Sequence, residues 1–467
     1  MKKQSSAFAS SLLFFLIFFF SQTAVFSQSI GTGWFHSAAI CNDGSLKAWG
    51  LNNNGQLGNG NTLGVNLPVS VNTLTGVIAV SGGAGHTLAL KSNGTLFAWG
   101  LNTDGQLGNA SNTNTSNVSA VSTLTGVISV ACGAYHSLAL KSDGTVWAWG
   151  WNSTGQLGNG TNVSSNVPVL VGSLSGIIAI AAGQIHSMAI KSDGTVWTWG
   201  GNTYGQLGIG NSTDSNIPVK VAALTGIISV KGGNQFSIAL KNDGTVSAWG
   251  YNNYGDLGNG TYTGTNSPVP VSLLAGITAI AAGGHHVLAI KNDGTLYSWG
   301  YNNYGQLGNG ATANLNVPVQ ISTLAGIVAI EGGSSHSLAL KNNGTLFSFG
   351  YNSDGELGTG TYSNSSVPLP LSTLCSVVTS LSNAAKDLSF SFFPNPSNGK
   401  FQINANESDL DGAALEIYNS VGEKIFVYNS ESLKSGTIID LSHMAKGFYL
   451  ATLRAGNRIN TVRIVLD

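Results

Sequence analysis

One motif returns at an unvarying interval and restricts this chain more than any other property. Trp-Gly stands at Trp49-Gly50, Trp99-Gly100, Trp149-Gly150, Trp199-Gly200, Trp249-Gly250 and Trp299-Gly300, and Phe349-Gly350 completes a series of seven at a period of 50 residues. Three further series keep the same phase. His36, His86, His136, His186, His286 and His336 form one, with Phe236 in the remaining slot. Gly-Gln-Leu-Gly begins at Gly55, Gly105, Gly155, Gly205 and Gly305, and becomes Gly255-Asp256-Leu257-Gly258 and Gly355-Glu356-Leu357-Gly358. Pro68, Pro168, Pro218, Pro268, Pro318 and Pro368 form the third, broken by Val118. Self-similarity at such a period is the signature of stacked supersecondary units.

One unit reads as four strands. Between Gly176 and Val221, Ile177 to Ala181 and His186 to Lys191 alternate around a Gly-containing turn, Asp193-Gly194 leads into Thr195 to Trp199, and a long Asn/Gly-rich loop leads to Ile217 to Val221. A four-stranded antiparallel sheet of this size cannot bury a face alone, so neighbouring sheets must pack on each other. The fold class expected is therefore all-β, a seven-bladed β-propeller. An open solenoid is the alternative, and the chain ends favour closure. Phe26 to Ile30 match the repeat poorly, whereas Ser376 to Leu381, after the seventh unit, lie in register with that missing first strand. The C-terminal end is thus expected to complete blade one. In that pairing Cys375 falls beside Cys41, which predicts a disulfide locking the ring; three free cysteines are the other possibility. Cys132 occupies a small-residue slot.

Composition narrows the function. Only 8% of the chain is charged and the net charge is -1, against about 25% charged in an average domain. Nucleic-acid binding needs clustered Lys and Arg, so no nucleic acid is expected. Met1-Lys2-Lys3 and the nine apolar residues Leu12 to Phe20 read as a signal peptide over 1–27, too short for a membrane span, which needs roughly 20 residues. The domains expected are that leader, a propeller over 28–382, a linker over 383–390 and a C-terminal domain over 391–467.

The repeat as it stands from Gly133 to Gly158 resembles the regulator of chromosome condensation repeat, whose family implies seven blades. Its namesake acts on a small GTPase and chromatin; a leader peptide and the lack of arginine before Arg454 do not suit that role. The last segment reads as a small β-sandwich with strands at Phe401 to Ala405, Ala414 to Tyr418, Lys424 to Tyr428, Thr437 to Leu441, Phe448 to Arg454 and Thr461 to Leu466. Its Pro394-Asn395-Pro396, Gly399 and Gly447-Phe448-Tyr449 resemble the type A sorting domain of the type IX secretion system of Bacteroidota. That resemblance implies passage through the type IX secretion machinery and a secreted or outer-surface location.

Chemistry has to be sought where the symmetry breaks, because a catalytic acid and base need unlike environments. The periodic histidines, tryptophans and glycines read as packing and turn geometry, so no metal is assigned, nor any cofactor. The non-periodic carboxylates of the repeat region are Asp104, Asp214, Asp256, Glu331, Asp354 and Glu356, and none completes a catalytic motif; an acid and base such as Asp354 with Glu331 could still meet across the ring. In a four-stranded blade the first-to-second and third-to-fourth loops emerge on one face. That face collects Trp34, Tyr135, Gln184 and His285 from the first set and Trp151, Tyr204, Tyr251, Tyr254, Tyr301, Tyr304 and Tyr351 from the second, interleaved with Asn. It is the expected binding face for a protein or glycan ligand, although the same tyrosines could serve to pack blade on blade. A polysaccharide-directed enzyme and a self-associating adhesin are the alternatives; the expected state of a simple binder is a monomer.

Overall fold

A computed structural model describes residues 30–371, except 42, 72–73, 122–123 and 173. It also describes residue 374, and residues 390–466 except 394–396, 398, 406–409, 411, 419–423, 429–432, 445–446 and 456–457. Two compact units divide at Thr379 and Ser380.

The first unit contains seven sheets of four antiparallel strands in simple up-and-down order. Blade 1 is β1 (Ile30–Thr32), β2 (His36–Ile40), β3 (Leu46–Gly50) and β4 (Val65–Ser70). The same pattern repeats six times, ending with blade 7 as β25 (Ile327–Gly332), β26 (His336–Lys341), β27 (Leu346–Gly350) and β28 (Ser365–Pro370). The innermost strands touch around the axis: β1 meets β5 (Val77–Gly82) on one side and β25 on the other. The fourth strands form the outer edges, where the periodic proline withholds a donor that could recruit a foreign strand.

Three periodic features hold blade to blade. The buried Trp99 indole donates Nε1–H to the Gln56 carbonyl of the preceding blade at 2.9 Å, and Trp49 of blade 1 donates to the Glu356 carbonyl of blade 7 at 2.8 Å. Gly58 lies so close to Trp99 that a Cβ would stand 2.7 Å from its Nε1; the last glycine of Gly-Gln-Leu-Gly is therefore the seat for the next blade's indole. The histidine interlock is the third. His36 meets Thr87 at 2.9 Å, His86 meets Ser137 at 3.0 Å, His136 meets Ser187, His186 meets Ser237 and His336 meets Ser37 at 2.9 Å, and His286 meets Ser337 at 2.8 Å, each in the following blade. Each hydroxyl in turn donates to the carbonyl of the Gln or Glu slot, as Ser137 does to Gln106 at 2.8 Å. Its lone pairs are then left to accept Nε2–H of the imidazole. Gly-x-x-His follows from this geometry: a Cβ on Gly33 would stand 2.1 Å from the ring of His36.

The seventh blade meets the first directly, since Ser37 takes part with both His336 and Glu356. One expectation is corrected here. Blade 1 does not lack a first strand of its own: Ile30, Gly31 and Thr32 pair with Ala39, Ala38 and Ser37. The repeat pattern misses it because the segment is three residues long, whereas the other blades use six. Residues 376–381, assigned to that place, lie outside the described residues, as does the leader over 1–27. Cys41 is buried and disulfide-bonded, and Cys132 is free; the expected partner, Cys375, also lies outside the described residues.

The second unit is a two-sheet sandwich. One sheet is β29 (Phe390–Phe393), β30 (Lys400–Ala405) and β33 (Ile438–Asp440); the other has the order β32 (Lys424–Tyr428), β31 (Ala413–Tyr418), β34 (Gly447–Ala455) and β35 (Arg458–Leu466). Phe401, Ile403 and Ile439 of the first pack with Leu415, Ile417, Leu453 and Ile464 of the second. β29, not foreseen in the sequence, is an edge strand paired only with β30.

Candidate binding face

The loops that carry the variable residues are built by the periodic ones. In each third-to-fourth loop a buried asparagine acts as a hub: Asn252 Oδ1 accepts from Leu257 N at 2.9 Å while its amide donates to the carbonyls of Thr261 and Thr263 at 3.1 and 3.0 Å. The loop is stapled to the first-to-second loop by a backbone bond, Tyr251 N to Gln235 O in blade 5 (227–270) and Tyr301 N to His285 O in blade 6 (277–320). Both loop sets therefore share one end of the propeller. The opposite end carries the Asp-Gly turns, in which Asp143 Oδ1 accepts from Thr145 N at 3.0 Å and Gly144 takes a φ of 77°.

A belt of backbone bonds runs around the axis at the variable end. Trp34 N donates to Gly83 O, Ala84 to Ala134, Ala134 to Gln184, Gln184 to Gly233, Asn234 to Gly284, Gly284 to Gly333, and Ser334 back to Trp34. It encircles the mouth of an axial cavity of about 270 Å³ lined largely by Gly, Ala and Ser. Lys231 and Glu331 form an ion pair there at 3.4 Å. Glu331 thus meets a lysine from the blade on the far side of blade 6. Cys132 also lines the cavity, and burial pushes its thiol up to about 12, the chemistry of an inert small residue.

Outside the belt the aromatic residues touch in edge-to-face and tilted pairs. Tyr204 meets Tyr251 at 5.2 Å, Tyr251 meets Tyr254 at 5.8 Å, Tyr254 meets Tyr301 at 4.8 Å, Tyr301 meets Tyr304 at 6.0 Å and Tyr304 meets Tyr351 at 5.0 Å between ring centres. The series passes through Phe35 and Trp34 of blade 1, and Trp34 then reaches Tyr135 of blade 3 at 6.2 Å, which meets Trp151 at 6.2 Å. Trp34 can cross blade 2 because that blade offers only Ala84 and Gly85 there. With His285 touching Tyr251 and Tyr254, ten of the eleven residues predicted for this face stand in one contact series, with Phe35 added; Gln184 stands apart at the cavity mouth. Tyr204 and Tyr304 are exposed and the rest partly so. Packing and exposure are both satisfied: the rings brace one another laterally and keep surface toward solvent.

The Gln slot of Gly-Gln-Leu-Gly varies at two places with opposite results. In most blades Gln Oε1 accepts the backbone N–H two residues earlier, as Gln306 does from Tyr304 at 3.1 Å. Glu356 keeps this bond with Asp354 N at 3.0 Å, its Oε1 has no partner, and burial raises its carboxyl to about 8. A protonated carboxyl in that slot imitates the amide it replaces. Asp256, one methylene shorter, accepts from Tyr254 N at 3.1 Å and takes His285 Nδ1 at 2.8 Å. Asp256 is fully buried, and burial pushes its carboxyl up against the pull of His285. Both residues are visible in the sequence as breaks in symmetry, but 29 residues separate them and only the contact between blades 5 and 6 joins them.

Comparison with known families decides the class. The model of the Regulator of chromosome condensation (RCC1) repeat matches seven consecutive segments from residue 43 to 382. The chain belongs to this repeat family. A second model of the RCC1 repeat matches seven segments between 28 and 356. Among solved RCC1-type structures, human WBSCR16 is 26% identical, covering 66% of this chain and 85% of its own, with a TM-score of 0.61. Prp20p from Saccharomyces cerevisiae, studied for its binding to Gsp1p and histones, is 24% identical over 74% of this chain and 87% of its own, with a TM-score of 0.64. Yeast RCC1 (Prp20) bound to Kap60 is 23% identical over 84% and 92%, with a TM-score of 0.66; these yeast likenesses establish the fold alone. No curated protein sequence matches.

Residues 391–467 match the secretion system C-terminal sorting domain, which marks the chain as a type IX secretion substrate exported to the cell surface or beyond. Gly399 has a φ of 114°, and a Cβ there would stand 2.4 Å from Ser442 Cα, so this motif glycine is demanded by the backbone. Tyr449 is buried in the sandwich core and Gly447 opens β34; Pro394, Asn395 and Pro396 lie outside the described residues. Among the described residues no helix is long and apolar enough to cross a membrane.

Proposed function

We propose that this chain is an exported binding protein whose propeller takes a protein or glycan ligand through the aromatic end, while the C-terminal domain serves secretion. The contact series from Tyr204 to Tyr351 carries the reading: consecutive tyrosines from blades 4 to 7 present partly exposed ring surface on a rigid scaffold, and such rings supply contact area at low entropy cost. The Asn-rich loops between them add amides that can donate and accept. With few charges on this end, binding by this mode is insensitive to salt.

The test is a screen of the oxidised full chain against glycan and surface-protein panels, with Tyr251→Ala/Tyr301→Ala/Tyr351→Ala as the comparison. Binding that disappears in the triple variant while its thermal unfolding stays cooperative supports the aromatic end. Binding that survives the triple substitution removes it. In the same preparation, peptide mapping without reduction is expected to recover Cys41 linked to Cys375, since Cys41 is disulfide-bonded, Cys132 is free and the chain has three cysteines.

A further inference from the structure

Four departures from the repeat fall together between blades 5 and 6. Phe236 replaces histidine, Val287 replaces the serine or threonine that histidine would meet, Asp256 replaces glutamine, and His285 fills a first-loop position that holds no other histidine. Phe236 and Val287 pack in one apolar cluster, so the buried polar interlock of the other six interfaces is removed as a pair. Nothing polar is orphaned inside, since the Asp256 carbonyl still accepts from Trp299 Nε1 at 3.0 Å. At this interface the imidazole has in effect moved from the core to the surface and gained a carboxylate.

Resting on the reading of the aromatic end as a binding face, we infer that Asp256 and His285 form a proton-loaded subsite for the carboxylate of an acidic saccharide. Asp256 anchors Nδ1, and the side chain of His285 is 21% exposed, so Nε2 is the ring nitrogen left for a ligand. Without an added proton, Asp256 holds the proton on Nδ1 and Nε2 is a lone-pair acceptor. When the pair takes up one proton, Nε2 becomes an N–H donor whether that proton rests on the imidazole or on the carboxyl. Only this state can hold a carboxylate. The groups facing His285 are Asp256, Tyr251 at 5.2 Å and Tyr254 at 5.1 Å between ring centres, with His286, neutral in its burial, next along the chain. No lysine or arginine stands among them to compete for the ligand's charge.

The ligand's shape follows from the surroundings. Tyr251 and Tyr254 stand beside His285, and Tyr254 and Tyr301 lie at 4.8 Å between ring centres. Flat rings suit the C–H face of a pyranose, and the exposed side chains of Asn253 and Asn303 suit its hydroxyls. A hexuronate supplies face, hydroxyls and carboxylate in one unit.

The test is titration calorimetry of the oxidised full chain with an oligogalacturonate, its methyl ester and a neutral oligosaccharide of similar length, from pH 8 to pH 5. Expected is affinity for the oligogalacturonate that rises as pH falls, by up to about tenfold per pH unit while one proton is taken up per ligand, with the ester and the neutral sugar flat. His285→Gln, which copies Gln235 of blade 5, is expected to abolish the rise. Asp256→Gln, which copies the repeat, moves it to lower pH. Both variants carry residues the same slots already hold, and their unfolding midpoints check the fold. Oligogalacturonate binding that ignores pH, or survives His285→Gln with its pH dependence intact, overturns the subsite. Equal capture of an acidic peptide overturns the saccharide assignment. If a neutral ligand binds and is lost in the triple tyrosine variant, the face stands although the subsite has failed; if the uronate binds as expected and ignores the triple variant, the face reading fails instead.

Discussion

Six blade interfaces hold a buried histidine against a serine or threonine, while the interface between blades 5 and 6 holds Phe236 against Val287. The comparison within one chain is equivalent to a double substitution already made. Where histidine is lost, its hydroxyl partner is lost with it: a histidine kept without the hydroxyl would leave a buried Nε2 unpaired at a cost of about 1–3 kcal/mol, while a hydroxyl kept alone would lose the imidazole N–H it accepts. Each retained histidine bonds its Nε2 to the hydroxyl, its Nδ1 has no partner, and burial lowers its pKa to about 3, or about 4 for His36. These six imidazoles are structural and neutral. His285, by contrast, stands partly exposed with its Nδ1 2.8 Å from the buried Asp256 carboxylate.

The largest effect that would sharpen this contrast is acid sensitivity. A histidine held at about 3 in the fold but near 6.5 when unfolded binds its proton only in the unfolded chain between those values. Stability is therefore complete above pH 6.5 and falls as pH drops toward 4, by up to about 1.4 kcal/mol per pH unit for each of the six. Denaturant midpoints measured at pH 7.5, 6 and 5 should decline steeply, and a flat profile would mean that the imidazoles are not buried neutral.

Copying the blade 5–6 solution elsewhere gives a smaller effect. Ser187→Val alone leaves His136 Nε2 unpaired and is expected to cost about 1–3 kcal/mol. His136→Phe added to it should recover at least about 1 kcal/mol of that loss, read as the coupling in a double-mutant cycle. Simple additivity of the two changes would break the comparison. The smallest effect concerns the other altered slot. Glu356, with its carboxyl raised to about 8, holds a proton that the unfolded chain has lost above about 4.5, so its contribution falls as pH rises through that window. Glu356→Gln should stabilise by about 1–3 kcal/mol at pH 8.5 and change little at pH 4.5, by thermal or denaturant unfolding at the two pH values.

Much of this was legible because repetition supplies its own internal alignment. The 50-residue phase marked blades, turns and interface residues, and the direction of alternate strands placed Tyr251, Tyr301 and Tyr351 at one end before any coordinates. The three-residue strand of blade 1 was not legible, since Ile30-Gly31-Thr32 is too short to show an alternating pattern. β29 was missed for a related reason: Phe390-Ser391-Phe392-Phe393 is four residues followed directly by Pro394-Asn395-Pro396 in the sequence.

What the order of residues settles alone is whatever depends on local period: strand, turn, blade count and the end on which each loop emerges. Meetings between blades are of another kind. That Trp34 passes over Ala84 and Gly85 to reach Tyr135, that Lys231 finds Glu331 past blade 6, and that Asp256 closes on His285 all depend on how curved sheets pack around a common axis. Packing brings side chains of different units within a few ångströms whatever their separation along the chain. The repeat identifies the slots, and the geometry of the ring determines which departures from it become neighbours.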